Sequence, residues 1–196
     1  MAVSFSEKEK TGIIAELRAA AGRHAASVGM RKTTVDELAA EAGISKGAFY
    51  KFYPSKEHLF LEVLEQWYHS IYDKAQQVLR ENAALPPRQR AAMILKATLR
   101  AMRAMPLMHF CHEEIPLMVR KLPETLLKEH YQSGDEFIST LIKRSGIQLT
   151  VTDGVACAVV KVLFLSLLTA QDVGPQYENA MDWIIDGACR QMIRED

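Results

Sequence analysis

Three hydroxyl side chains suited to start helices, Thr34, Ser45 and Ser55, sit close together in TTVDELAAEAGISKGAFYKFYPSKEHLF (33–60). This spacing constrains the fold more than any other feature of the chain. TVDE (34–37) has the form of a capping box, in which Thr34 and Glu37 each satisfy an orphan amide at the helix start. The helix it opens carries Leu38, Ala39 and Ala42, and Gly43 stops it. Ser45 caps a third, short helix that Pro54 ends, and Ser55 opens a long fourth one. Leu59, Val63, Trp67, Ile71, Ala75 and Val78 recur along one face of that fourth helix. Two short helices joined by AGIS fit a helix-turn-helix, with Gly43 free to take the sharp turn.

The remainder reads as helix throughout. SEKE (6–9) is another capping box, and Ile14, Leu17, Ala21, Ala25 and Val28 follow at helical spacing up to Gly29. ENAALPPRQR (81–90) reads as a linker, with Pro86 or Pro87 in the first turn of helix five. Pro116 and Pro123 break up the next segment. Helices seven, eight and nine are predicted over about 124–144, 152–172 and 176–194. The expected fold is all-α with about nine helices, and 155–170 (VACAVVKVLFLSLLTA) is expected as a buried helix rather than a membrane span. Cys111, Cys157 and Cys189 lie far apart with no C-x-x-C, which points to reduced thiols and a cytoplasmic setting.

Lys+Arg and Asp+Glu both number 24, so bulk charge attracts no polyanion and nucleic-acid binding must rest on placed groups. Lys46 and Lys56 each follow a capping serine, where the positive end of the helix dipole disfavours a cation by about 0.3–1 kcal/mol. That placement makes sense where an anion docks at both helix starts. Tyr50 offers a hydroxyl suited to a phosphate oxygen, and Gly47 and Ala48 leave the helix slim enough to approach bases.

Residues 6–60 resemble the DNA-binding signature of TetR-family transcriptional regulators: Thr-Thr, the Ala-Gly turn, Lys-Gly, Tyr50 and the Ser-Lys-Glu start of helix four occur in order. His24, Ala25 and Met30 stand where that family usually has Leu, Phe and an aromatic. The resemblance implies a helix-turn-helix domain over 1–54 and a helical effector and dimerisation domain over 55–196, with helix four (about 55–81) linking them. It places Lys46, Ala48 and Lys51 at the major groove or its rim, and Thr34, Ser45, Tyr50 and Lys56 on phosphates.

The expected partners are double-stranded operator DNA, a small-molecule effector and a second copy of the chain, with no cofactor and no membrane. Met93, Met102, Met105, Met108 and Met118 cluster in sequence, and adaptable thioethers suit a loosely specific apolar cavity. Phe110, Cys111, Tyr131, Phe137 and Phe164 are the other candidate lining residues. Val159, Val162, Leu163, Ser166 and Leu167 on helix eight, with Trp183, Ile184, Ala188 and Met192 on helix nine, are the expected dimer face. HFCHEE (109–114) leaves a metal or thiol sensor built on His109, Cys111 and His112 as an alternative. A ligand-free architectural regulator is a second one. No phosphate loop, G-x-S-x-G or H-E-x-x-H occurs in the sequence, so catalysis is not expected.

Overall fold

The computed structural model describes residues 5–105 and 108–195, apart from the side chains of Met108 and His109. Its helices are α1 (Glu7–Ser27), α2 (Val35–Glu41), α3 (Lys46–Phe49), α4 (Lys56–Glu81), α5 (Pro87–Arg103), α6 (Met108–Glu113), α7 (Ile115–Val119), α8 (Glu124–Ser145), α9 (Asp153–Leu165), α10 (Ala170–Val173) and α11 (Tyr177–Met192). Among the described residues the all-α plan of about nine helices holds. Its sixth member is the pair α6 and α7, and its eighth runs on from α9 through a 3-10 turn into the single turn of α10. Among the described residues the sole β pairing is an isolated antiparallel bridge, Leu149 with Ile193.

The chain forms two compact units, one of Met1–Tyr68 with His109–Leu127 and one of His69–Met108 with Lys128–Asp196. The first holds α1, α2 and α3 with both predicted capping boxes formed, Ser6 with Glu9 and Thr34 with Glu37. Its core takes Leu17, Ala20, Ala21 and Ala25 from α1, Leu38 and Ala39 from α2, Ala48 and Phe49 from α3, and Leu59, Phe60, Val63 and Leu64 from α4. Phe110 stacks on Phe60 at 5.8 Å and meets Trp67 edge-on at 6.2 Å. Met118 is fully buried in the same unit.

In the second unit α5 lies against α11. Ala91, Ala92 and Leu99 form one core with Leu163, Leu167, Tyr177, Met181, Ile185, Cys189 and Met192. The polar rims of the two helices are tied by Lys96–Asp186 at 2.7 Å, Arg100–Asp182 at 2.7 Å and Arg103–Glu178 at 2.6 Å. The acceptors 178, 182 and 186 recur every four residues, so all three lie on one face of α11. A smaller core holds Ala75, Val78 and Ile94, with Phe137 stacked on Tyr72 at 3.6 Å.

The apolar stretch 155–170 is not wholly buried. Ala156, Cys157, Leu163 and Leu167 face inward, while Val155, Val162 and Leu165 are 48%, 65% and 61% exposed. One face of α9 suffices for this unit's core, and the other is left to solvent. Asp153–Met192 is long and apolar enough to cross a membrane by composition alone. It is not one continuous helix, because two 3-10 turns and Gly174 at φ +80° divide it.

Candidate nucleic-acid interface

The helix-turn-helix is assembled from its caps. Thr34 accepts from the Glu37 amide at 3.2 Å, and its own amide donates to the Glu37 carboxylate at 2.7 Å. Ser45 accepts from the Ala48 amide at 3.2 Å and starts α3. Gly43 between them adopts φ +68°, a conformation that costs an L side chain energy and a glycine almost none. Phe49 is fully buried and anchors α3, while Ser45, Lys46, Gly47, Tyr50 and Lys51 stay exposed around it. Ala48 differs from expectation: it is 7% exposed and packs into the core, since α3 is one turn long and residues 48 and 49 both face inward.

Two of the expected contact lysines are already engaged. Lys46 Nζ donates to Asp36 of α2 at 2.7 Å in an exposed pair, and Asp36 pushes the Lys46 ammonium up from its ordinary value. Lys56 Nζ donates to the Met30 carbonyl at 2.7 Å and the Thr33 carbonyl at 2.5 Å. Burial lowers its pKa. Lys56 therefore holds the loop between α1 and α2, a role its helix-start position does not reveal. Lys51 lies over the Phe5 ring at 5.9 Å, and Phe5 meets Phe52 at 5.6 Å. Tyr50 is half exposed with its ring edge-on to Phe49.

Sequence reasoning missed three supports of this head. His24 sits with Nδ1 3.0 Å from Thr33 Oγ1 and Nε2 2.6 Å from Glu41, so it joins α1 to both ends of α2. Arg18 and Tyr53 both donate to the Glu62 carboxylate. Burial raises the Tyr53 pKa, and the Glu62 carboxylate beside it adds to the shift. Glu114 accepts from the Arg31 backbone amide at 2.8 Å. The departure of His24 from the usual pattern was the one visible signal among these.

The description "Bacterial regulatory proteins, tetR family" matches residues 17–63, the stretch that builds this helix-turn-helix. Residues 17–63 are thus similar to the DNA-binding segment of TetR-family regulators. The HTH-type transcriptional regulator YerO of Bacillus subtilis (strain 168), named as uncharacterized, is 39% identical over 64 residues, which is 33% of this chain and 22% of YerO. The chain thus matches under a quarter of that relative's length. The likeness of fold extends further than the sequence match. RolR in complex with resorcinol superposes with TM-score 0.63 at 16% identity, over 93% of this chain and 90% of RolR. FadR from Bacillus subtilis in complex with stearoyl-CoA gives TM-score 0.60 at 14% identity, over 89% of this chain and 96% of FadR. At those identities the likeness is one of fold.

The candidate effector residues of this chain are dispersed. Phe110, Cys111 and Met118 belong to the first unit, and Phe110 and Met118 fill its core. In the second unit Met93 and Tyr131 are exposed at 45% and 56%, because the inward faces of α5 and α8 are taken by other residues. Phe137 is covered by Tyr72. Met102, Met105 and Phe164 are partly buried, and Met102 and Phe164 pack against the larger core. The side chains of Met108 and His109 lie outside the described residues. An open groove of about 590 Å³ between α8 and α9 is lined by Ser139, Thr140, Lys143, Cys157, Ala158 and Lys161 among others, with no methionine in its walls. Among the described residues no group of His, Cys, Asp and Glu is arranged to hold a metal. Burial pushes the Cys111 thiol up to about 11, which disfavours the thiolate a redox sensor needs. His112 is exposed.

The expected dimer residues divide by face. Val162, Trp183 and Ile184 are 65%, 79% and 54% exposed. Leu163, Leu167 and Met192 instead belong to the unit's own core. Ser166 donates to the Leu163 carbonyl at 2.6 Å and meets the Tyr177 hydroxyl at 2.7 Å. Val159 and Ala188 are partly buried at the edge of that core.

Proposed function

We propose that this chain is a transcriptional repressor that binds a palindromic operator as a homodimer and is released by a small apolar or amphipathic effector. The observation that carries the reading is the exposed row Ser45, Lys46, Gly47, Tyr50 and Lys51 around a buried Phe49, with Thr34 capping the adjacent helix. Hydroxyls, cations and a slim backbone on one short helix are the groups that hold phosphates and reach base edges. In this reading residues 1–54 bind DNA and 55–196 bind effector and partner, and the 26-residue α4 opens the second part directly after the first.

The uncovered apolar side chains of α9 and α11, above all Val162, Leu165, Trp183 and Ile184, support a second copy as the dimer partner. An effector would meet Met102, Met105 and Phe164, adaptable side chains left partly open at the end of α5 and on α9. That RolR and FadR were solved with a small organic ligand and an acyl-CoA supports this effector class.

The test is selection of duplexes from a random pool by the full chain, followed by footprinting. A symmetric site with half-sites about one turn apart, roughly 34–36 Å, is expected. A thermal-shift screen of small organic molecules should then find one that raises Tm and weakens the selected duplex. The coupling should be about 1–3 kcal/mol and reciprocal, so duplex must weaken that molecule by the same factor. Recovery of no preferred duplex overturns the DNA reading. A stabilising ligand without effect on DNA affinity overturns the release mechanism.

A further inference from the structure

We propose that Glu114 is a positioning residue for the DNA-binding head: its buried carboxylate holds the loop between α1 and α2, and through it the start of α2, in the form that meets DNA. The proposal rests on the operator-binding reading above. Glu114 lies 83 positions from the residue it contacts, in the segment between α6 and α7, and is 5% exposed. Its Oε2 accepts the Arg31 amide at 2.8 Å. Gly29, at φ +82°, leaves the space the carboxylate occupies, and a Cβ there would collide with Glu114 Oε1. Glycine at 29 thus provides both a left-handed turn and room for an acid.

The same loop is held from its other side. Lys56 takes the Met30 and Thr33 carbonyls, and the Thr33 hydroxyl donates to the Gly29 carbonyl at 2.7 Å. The loop's amide and carbonyls are therefore bracketed by an acid and a cation, and Thr34, the cap of α2, follows directly. A second link comes from the same segment as Glu114: Lys121 Nζ lies 3.0 Å from Glu57, a 6% exposed residue in the first turn of α4. A carboxylate is costly to bury unless hydrogen-bonded, so removing its reach leaves the loop amide without an acceptor. Movement of segment 110–122 would withdraw that acceptor and release α2.

The test uses the full chain and the tightest duplex that the wild type recovers from a random pool. Recovery of no duplex would be a failure of the operator-binding reading and is scored before the variants. Glu114→Asp keeps the charge and shortens the reach; Glu114→Gln keeps the reach and an acceptor oxygen. Expected are a tenfold or greater loss of duplex affinity and faster Arg31 amide exchange in Glu114→Asp, with Glu114→Gln within threefold of wild type. A charge-only role predicts the reverse order. Glu114→Asp binding within threefold of wild type, or Glu114→Gln losing as much as Glu114→Asp, overturns the proposal. Should Glu114→Asp fail to fold by circular dichroism, two measurements decide: Arg31 amide protection in the wild type and its retention in Glu114→Gln. Loss of either overturns the proposal.

Discussion

At the scale of single residues, exposure separates side chains that build the head from those that can meet DNA. Lys46 and Tyr50 are exposed, and neither supports the core beyond the ring edge of Tyr50 on Phe49. Lys46→Ala and Tyr50→Phe are therefore expected to leave the thermal melt unchanged. Each should weaken the selected duplex by about 1–2 kcal/mol, roughly tenfold, in a titration at fixed salt. Unaltered affinity in both variants would remove α3 from the interface. Glu62 has the opposite character. Burial alone would raise its pKa, but hydrogen bonds from Arg18 and Tyr53 bring it below the ordinary carboxylate value. A folded-state value below the unfolded one stabilises the protein above the ordinary carboxylate range, and that stability is lost as pH falls. Acidification below roughly pH 5 should weaken the native state through this group. Glu62→Gln should be less stable than wild type near neutrality and show a shallower loss in acid, read from urea midpoints across pH.

Elements show how little sequence is needed to set a short helix and how much context sets its face. α2 and α3 are too short to persist alone in water. They are held by caps at Thr34 and Ser45 and by Leu38, Ala39, Ala48 and Phe49 beneath them. The turn between them depends on Gly43, where an added Cβ would meet nothing within 4 Å. Any cost of a side chain there is conformational rather than steric. Gly43→Val is expected to destabilise the chain by about 1–2 kcal/mol, seen as a lower urea midpoint at unchanged slope. A midpoint equal to wild type would mean the turn tolerates another backbone conformation. α9 makes the complementary point, since apart from Asp153 and Lys161 it carries no charged side chain and its partners decide which apolar side is core.

At the scale of the whole molecule, the uncovered face of α9 and α11 has the clearest consequence. Trp183 is 79% exposed in the single chain, so its replacement should leave the fold of each chain intact. Trp183→Asp places a charge at the centre of the proposed seam, where burial of an unpaired carboxylate is strongly unfavourable. Sedimentation is expected to show a monomer with a native circular dichroism spectrum, and binding to a two-half-site duplex should fall together with dimerisation. A variant that remains dimeric would place the seam elsewhere.

The helical plan and the head were legible in the residues themselves. Capping boxes, a glycine between two short helices and apolar spacing of three and four are local signals, and local backbone physics honours them wherever the chain can be packed. The exposed candidates Lys46, Tyr50 and Lys51 were readable for the same reason, because α3 needs an anchor at Phe49 and offers its remaining positions outward. Contacts between residues distant in sequence were not readable. The turn of Lys56 towards the Met30 and Thr33 carbonyls, the link of His24 to Glu41, and the reach of Glu114 to Arg31 all depend on which helices come together. The same holds for the split of Leu163 and Leu167 from Val162 and Trp183, and for the scattering of the methionines between two units. Periodicity shows that a helix has an apolar side. Tertiary structure alone decides which apolar residues are covered, because burial depends on the area a neighbouring element presents and not on the helix that carries them.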